Sequence, residues 1–255
     1  MISNTTSTAA AGAPSAASPA PNQRQTLVWD LPVRLFHWLL AASFAGAWLT
    51  AESERLHLIH ITLGYTMGGL VVFRIIWGLI GSGPARFANF VRGPGAALRY
   101  LRSLTTPQPE HHRGHNPAGA LAILALLGLV LLTAALGWAT ETERLPAFMD
   151  EAHEAVATGL MAVVCLHLLG VAVGSWRHRE NLPRSMVDGR KAGSAAEGLQ
   201  GNRWPMAALL LAAVLGFWAW QWHSAPDGTA GATLKALATM SSGGDEDGEN
   251  DQDND

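Results

Sequence analysis

Four histidines lie in or at the ends of long apolar stretches of the sequence: His37, His60, His153 and His167. Ionisable side chains are costly inside apolar membrane segments and are usually paired or functional there. Imidazoles that meet in pairs from facing helices suit axial ligation of haem iron better than a tetrahedral zinc site, which favours cysteines. The chain has only 1 cysteine. Haem ligation is therefore the first hypothesis, and the alternative is that each histidine is a hydrogen-bonded packing residue.

The spacing of the histidines assigns them to two levels. His153 and His167 are fourteen residues apart, which on an α-helix is about 21 Å of rise and a return to nearly the same face. The predicted directions of the apolar segments then pair His37 with His167 near one membrane surface and His60 with His153 near the other. The sequence thus predicts two haems per chain, each iron bound by two histidines.

Membrane helices are the elements that must hold these histidines. The chain has 255 residues, of which 49% are hydrophobic and 15% charged, whereas about 25% are charged in an average soluble domain. Five apolar stretches, each near the roughly 20 residues needed to cross a bilayer, cover residues 34–51, 59–81, 117–139, 153–175 and 205–223. These features exclude a soluble globular enzyme. They predict an all-α integral membrane protein with four transmembrane helices and a fifth, C-terminal transmembrane helix.

The composition also predicts how the chain is divided. We expect a disordered arm (1–25), a four-helix cytochrome domain (26–190), a cytoplasmic linker (191–203), the fifth transmembrane helix (204–224) and an acidic disordered tail (225–255). Asn116 and Pro117 form a helix-start signal for the third span. The basic loop 82–115 alternates apolar and arginine residues at helical spacing, which favours short interfacial helices.

The distribution of lysine and arginine predicts the orientation. If the N-terminus is cytoplasmic, the arm and the loops after the second and fourth spans hold all but Arg55, Arg144 and Lys235 of the 17 basic residues. Cytoplasmic loops of membrane proteins carry such an excess. The sequence therefore predicts a bacterial inner-membrane protein with a cytoplasmic N-terminus and a periplasmic C-terminus, with His37 and His167 toward the cytoplasm.

Further polar residues are candidates for contacts with the haem edge. Arg74 follows His60 by fourteen residues, so it lies on nearly the same helix face, where it could pair with a propionate of the inner haem. Arg34 is a second candidate, and both arginines have the alternative role of snorkelling at the interface. His115 is a haem-edge or quinone contact, or else a capping or surface residue. His57 is an interfacial or rim residue. The remaining histidines are predicted to be solvated loop or interface residues: His111, His112, His178 and His223.

Small residues on the second and fourth spans leave room for a flat haem, or serve plain helix packing. They are Gly64, Gly68, Gly69, Ala155, Ala157, Gly159 and Gly170.

Several short motifs together resemble the bacterial cytochrome b561 family, which includes the b-type cytochrome subunits of nickel–iron hydrogenases. The matching runs begin at Arg34 (RLFHW), His60 (HITLGY), Arg74 (RIIWG), Gly114 (GHNPAG), His153 (HE) and Leu166 (LH). The resemblance covers about residues 26–190. It implies a four-helix bundle with two b haems and carries the ligand role onto His37, His60, His153 and His167.

The resemblance favours a dihaem membrane cytochrome that transfers electrons across the bilayer between quinone and a periplasmic partner, such as a c-type cytochrome. No catalytic residue is assigned, and any quinone oxidoreductase activity would need a partner. One alternative is a membrane anchor subunit of a hydrogenase or other dehydrogenase. Another is a non-redox transporter or assembly factor. Seven acids among residues 245–255 would attract a basic partner or simply keep the tail solvated. No nucleic-acid partner is expected.

Overall fold

The computed structural model describes residues 24–106, 110, 115–142, 148–193, 199 and 201–242. Its helices are α1 (Leu31–Thr50), α2 (His57–Ile80), α3 (Phe87–Phe90), α4 (Pro94–Ser103), α5 (Pro117–Glu141), α6 (Phe148–His178), α7 (Leu182–Asp188), α8 (Trp204–His223) and α9 (Thr229–Ser242). Two short strands are β1 (Arg24–Leu27) and β2 (Arg190–Gly193). The five predicted apolar stretches coincide with the five long helices α1, α2, α5, α6 and α8.

Four of these helices are long and apolar enough to cross a membrane. They are α5, α6, α8 and the segment Glu54–Ile80, which is α2 with the 3₁₀ turn before it. The protein is therefore a multi-pass membrane protein. The predicted span 34–51 is the helix α1, but α1 does not reach the same apolar composition, because Arg34 and His37 lie in its first two turns.

Helix α1 runs antiparallel along the whole of α2. The N-cap carboxylate of Asp30 accepts hydrogen bonds from the Val33 backbone N–H at 3.0 Å and, across the pair, from Trp77 Nε1 at 3.1 Å. At the opposite end, His60 Nδ1 lies 2.8 Å from the Ala47 carbonyl oxygen. We call the end of the bundle that holds Asp30 the lower end, and the end that holds the first turn of α2 the upper end.

The third predicted span begins where its sequence signal places it. Asn116 caps α5 by accepting a hydrogen bond from the Gly119 backbone N–H at 2.7 Å, and Pro117 is the first helical residue. The basic loop before it contains the predicted short helices, α3 and α4. His178, which the sequence predicts to be a solvated loop or interface residue, is half-buried at the end of α6, and its Nε2 lies 3.2 Å from the hydroxyl of Tyr100 on α4.

The apolar core lies midway between the two ends. Its most buried members are Leu70, Val71 and Leu160. Within the described residues, the backbone of α6 packs most extensively against α5 and less against α7, and it lies farther from α1 and α2. The space between α6 and the α1–α2 pair is therefore wider than the space between α6 and α5.

A two-stranded antiparallel sheet covers the lower end. Strand β1 pairs with β2, in a register that places Leu27 opposite Arg190. The turn into β2 needs Gly189, whose φ of 77° is left-handed and whose hypothetical Cβ would lie 2.6 Å from the Trp29 carbonyl oxygen. The predicted disordered arm therefore ends in a strand, and the predicted linker begins in one. Both differences arise from a long-range pairing that neither segment specifies locally.

The prediction of a disordered tail from residue 225 is wrong for its first part, because Thr229–Ser242 form α9. Alanine, leucine, lysine and methionine in this segment favour a helix. The helix also buries Thr233 and Ala236 at the upper end, where it packs against α2 and its preceding 3₁₀ turn. Residues 1–23 of the predicted arm, residues 243–255 of the predicted tail, His111 and His112 lie outside the described residues.

Candidate functional site: two histidine pairs between the helices

The upper pair joins α2 to α6 across the space described above. The ring centroids of His60 and His153 lie 6.3 Å apart, and the ring planes are inclined by 76°. His60 is in the first turn of α2 and His153 in the second turn of α6, and both rings are half-buried. The structure therefore brings together the two residues that the sequence pairs at this level.

Backbone carbonyls orient both rings of the upper pair. His60 Nδ1 lies 2.8 Å from the carbonyl oxygen of Ala47, and His153 Nδ1 lies 3.0 Å from that of Thr133. A carbonyl only accepts, so each Nδ1 carries the proton and donates it to this bond. Each Nε2 is then left with a free lone pair, which is the arrangement that second-shell partners impose on metal-binding histidines.

The spacing of the upper rings fits one iron held between them. Imidazole nitrogens bind metal ions at about 2.0–2.1 Å. Two imidazoles on opposite sides of one ion therefore have centroids about 6 to 6.5 Å apart. The observed 6.3 Å lies in this range, whereas a direct hydrogen bond between the rings would bring them closer. The residues present thus fit a bis-histidine metal group.

Two glycines make room at the upper pair. A Cβ on Gly137 of α5 would lie 3.0 Å from His153 Cε1 and 3.3 Å from its Nδ1, so any larger residue would push against this ring. A Cβ on Gly64, one turn beyond His60, would meet no atom within 4 Å, so space remains beside the ring. Sequence reasoning missed Gly137, because nothing in the local sequence indicates which α5 residue faces His153.

The remaining predicted glycines lie in three different surroundings. A Cβ on Gly159 or Gly170 of α6 would meet no atom within 4 Å. Gly68 packs against α5 instead, since its hypothetical Cβ would lie 3.4 Å from the Ala134 methyl. Gly69 faces α8 and lines a cavity there.

The lower pair consists of His37 on α1 and His167 on α6. Their rings are close enough to interact electrostatically, and the edge of the Trp38 ring meets His37 at a centroid distance of 5.1 Å. The Nδ1 atom of His37 is buried and has no hydrogen-bond partner among the described residues. The lower pair therefore lacks the backbone acceptor that orients His60.

Arg74 is buried beside the lower pair. Its side chain is 3% exposed, and its Nη1 has no hydrogen-bond partner within the described ranges. The central carbon of the guanidinium, Cζ, lies over the face of the Phe87 ring, 4.8 Å from the ring centre. Gly78 provides the space for that ring, because a Cβ there would collide with it. A buried cation with an unpartnered donor is suited to bind an anionic group.

His115 lies next to this cation, between two aromatic rings. The centroids of Trp29 and Phe90 are 4.5 Å and 4.4 Å from its own. Burial, reinforced by the positive charges of Arg74 and Lys191, lowers the pKa of His115 to about 3. Its buried Nδ1 and the indole Nε1 of Trp29 both lack partners in the described part of the chain. The sequence singles out His115 as a candidate site residue but not Trp29, because the two residues in contact are 86 positions apart in the chain.

Arg34 and His57 lie away from these clusters. Arg34 donates from Nη1 to the Val187 carbonyl and from Nη2 to Asn202 Oδ1 at 3.5 Å, so it joins α1 to α7 and to the segment before α8. Its Nε is buried without a partner among the residues described. His57 is exposed and pairs with Glu141 at 2.9 Å.

An apolar layer lies between the two histidine pairs. Met67 lies seven residues from both His60 and Arg74 on α2, and Leu160 lies seven residues from both histidines of α6. Both side chains are buried in one apolar cluster with Val71. The described residues contain no group of three or more His, Cys, Asp or Glu side chains that could hold a metal ion together.

Imidazole pairs held between transmembrane helices define a b-type membrane cytochrome. The family model for prokaryotic cytochrome b561 matches residues 28–189, and the chain belongs to this family. Membership means b-type haem, electron transport and a membrane location, which confirms these expectations from the sequence. Comparison with the curated proteins and with the solved structures gives no match. Helices α8 and α9 lie outside the matched range.

Proposed function

We propose that this chain holds two b haems and carries electrons across the cytoplasmic membrane between quinone and a periplasmic redox protein. The upper histidine pair is the observation that carries the proposal. Its two Nδ1 atoms donate to backbone carbonyls, and its ring centroids are 6.3 Å apart. These bonds leave the Nε2 lone pair of each ring available as a ligand, which a role in packing alone does not require.

His37 and His167 would hold the second haem. Arg74 and His115 would contact its propionates, since both have buried nitrogens without partners in the described part of the chain. Arg34 would contribute only its Nε, because its terminal nitrogens bind Val187 and Asn202. A haem iron bound by two histidines supplies one-electron transfer and has no open position for oxygen.

The apolar layer would keep protons out of the electron path. Met67, Val71 and Leu160 are buried and carry no group that exchanges a proton. Electrons would therefore cross the layer while protons could not follow, so charge would be separated across the bilayer.

Helix α1 would be the fifth crossing. It follows α2 from Trp77 to His60 through the contacts of Asp30 and Ala47. A helix paired with a membrane span over this length must lie at the same depth. We place the lower end in the cytoplasm, because its loops and helix ends are basic, as the orientation rule expects.

The partner would bind at the upper end. Glu52, Glu54, Asp150 and Glu151 are exposed there, and the tail that follows α9 adds seven acids. This charge favours a basic periplasmic protein, whose association would weaken with salt. A membrane anchor for a hydrogenase or another dehydrogenase is the second candidate, with the same haems and the opposite direction of electron flow.

Visible spectra and a haem count of the purified full-length protein test the proposal. We expect two b haems per chain that are reduced by dithionite and show no change on adding carbon monoxide, since both axial positions are filled. One haem per chain, or none in protein from haem-replete cells, would contradict it.

A further inference from the structure

Helix α4 at the lower end carries no residue of either histidine pair, and its surface is divided into three faces. Ala97 and Tyr100 form its buried face, and the helix packs mainly against α5. Leu98 and Leu101 form a second face, and each of these residues is 50% exposed. Apolar surface left in water forgoes the free energy of burial, so this leucine face calls for an apolar neighbour.

The third face of α4 is basic. Arg99 and Arg102 are exposed and lie three residues apart, so their side chains are neighbours on the helix. At 100° per residue, this arginine face lies about 160° from the buried face and about 100° from the leucine face. It therefore points away from the bundle. Neither arginine forms an ion pair with an acidic side chain among the described residues.

The end of α6 marks the surface of the membrane beside α4. Leu166 and Leu169 are 65% and 59% exposed, as expected for side chains that face lipid. Trp176, which is 75% exposed, and Arg177 follow in the last turn of the helix. Tryptophan is enriched where a membrane helix leaves the hydrocarbon, and arginine is enriched just beyond that point. The last turn of α6 therefore lies among the lipid headgroups.

Two contacts hold α4 at this depth. The Tyr100 hydroxyl lies 3.2 Å from Nε2 of His178, the last residue of α6. Arg177 donates from Nη2 to the carbonyl of Thr106, which follows α4 by three residues. A helix fixed beside the last turn of α6 has lipid on its open sides. Its leucine face can therefore reach acyl chains, and its arginine face can reach the phosphates of lipids that border the bundle.

We propose that α4 binds an anionic phospholipid of the adjoining leaflet, whose phosphate pairs with Arg99 and Arg102. The acyl chains of this lipid would lie along Leu98 and Leu101. Charge complementarity selects the occupant, because two arginines without an acidic partner favour a lipid with net negative charge over a zwitterionic one. A soluble acidic protein would match the arginines but would leave the leucine face without a neighbour. Lipid binding at α4 depends on the membrane location of the chain and not on the number of haems.

Two double variants separate the charge of α4 from the charge of the whole protein. Arg99→Gln with Arg102→Gln removes both charges of the arginine face. Arg55→Gln with Lys235→Gln is the matched control, because it removes the same charge from two exposed residues at the upper end. All four side chains are exposed, so neither variant disturbs the packing of the bundle.

Native mass spectrometry of the purified full-length protein in a nonionic detergent, titrated with phosphatidylglycerol or with phosphatidylcholine, tests the proposal. We expect the wild-type protein to bind phosphatidylglycerol at least tenfold more tightly than phosphatidylcholine. A basic residue near an anionic lipid surface contributes roughly fivefold. Arg99→Gln with Arg102→Gln should therefore lose most of this preference, with the affinity for phosphatidylcholine unchanged, and the control variant should keep the preference.

Three results would overturn the proposal. If Arg99→Gln with Arg102→Gln kept the wild-type preference, other basic residues would be its source. Equal affinity of the wild-type protein for both lipids would leave the arginine face to an acidic protein. Displacement of phosphatidylglycerol by an equal concentration of glycerol 3-phosphate would mark an anion site that does not need the lipid.

The haem content distinguishes this proposal from the proposed function. We expect both double variants to hold as much haem as the wild-type protein, since α4 contributes no paired histidine. Missing haem in the wild-type protein would overturn the proposed function, whereas lipid binding at α4 would still be judged by its own titrations.

Discussion

The upper and lower histidine pairs differ in what holds the imidazoles. At the upper pair, the carbonyls of Ala47 and Thr133 fix both rings, and the nearest supporting groups are backbone atoms. At the lower pair, His37 lacks such an acceptor, and a buried cation, Arg74, lies nearby with an unpartnered nitrogen. The upper rings are therefore held by backbone hydrogen bonds, whereas the lower level is marked by a buried positive charge. Two haems in these environments would differ in redox potential, with the higher potential at the lower level.

Removal of single ligands should produce the largest effect. We expect His60→Ala and His153→Ala to lose one and the same haem, and His37→Ala and His167→Ala to lose the other, so that each variant retains one haem per chain. Spectra and haem counts of the four variants check this. His57→Ala is the matched control, because His57 is exposed and bonded to Glu141, and it should keep both haems. If His37→Ala and His153→Ala each lost the same haem, the pairing would be contradicted.

Crowding the upper pair should give the next largest effect. In Gly137→Ala the new methyl would lie 3.0 Å from His153 Cε1, and such overpacking typically costs about 1–3 kcal/mol. We expect the upper haem to be lost first during dialysis or heating, while the lower haem is retained. Gly128→Ala, at an open position of the same helix, should behave like the wild-type protein. Equal loss of both haems would show that Gly137 serves only the general packing of α5.

Removing the charge of Arg74 should affect the lower level alone. A nearby cation stabilises the reduced, less positive iron, so Arg74→Met should lower the potential of the lower haem. An interaction of about 1.4 kcal/mol corresponds to roughly 60 mV for one electron. Potentiometric titration of both haems measures the shift. Arg74→Lys should restore most of it, and Arg34→Met should shift the potential less because Arg34 is bonded to Val187 and Asn202.

The sequence predicts those features of the two levels that depend on local properties of the chain. The membrane helices and the histidine depths follow from apolar length and helical rise, which are local properties of the chain. The start of α5 at Asn116 and Pro117 is equally local. The position of α8 is predicted by the same apolar length, although its cavity with α2 is not.

Contacts between distant segments could not be predicted in this way. Gly137 matters because α5 packs against α6 in one particular rotation, and a single sequence does not specify that rotation. Trp29 and Phe90 enclose His115 only after β1, α3 and α5 have met at the lower end. The composition of α9 favours a helix, but the sequence does not show that Thr233 and Ala236 are buried at the upper end of the bundle.

The smallest expected effect concerns protons at the lower level. Because burial lowers the pKa of His115 to about 3, this imidazole is neutral between pH 5 and pH 8 and binds no proton when the nearby iron is reduced. One coupled proton per electron would change the potential by about 59 mV per pH unit, so the contribution of His115 should be close to zero. Potentials of wild-type protein and of His115→Phe, titrated across this range, should therefore have the same pH slope. A slope that is steeper in the wild-type protein would mean that His115 gains a proton on reduction, which its position between Trp29 and Phe90, beside the cations Arg74 and Lys191, opposes.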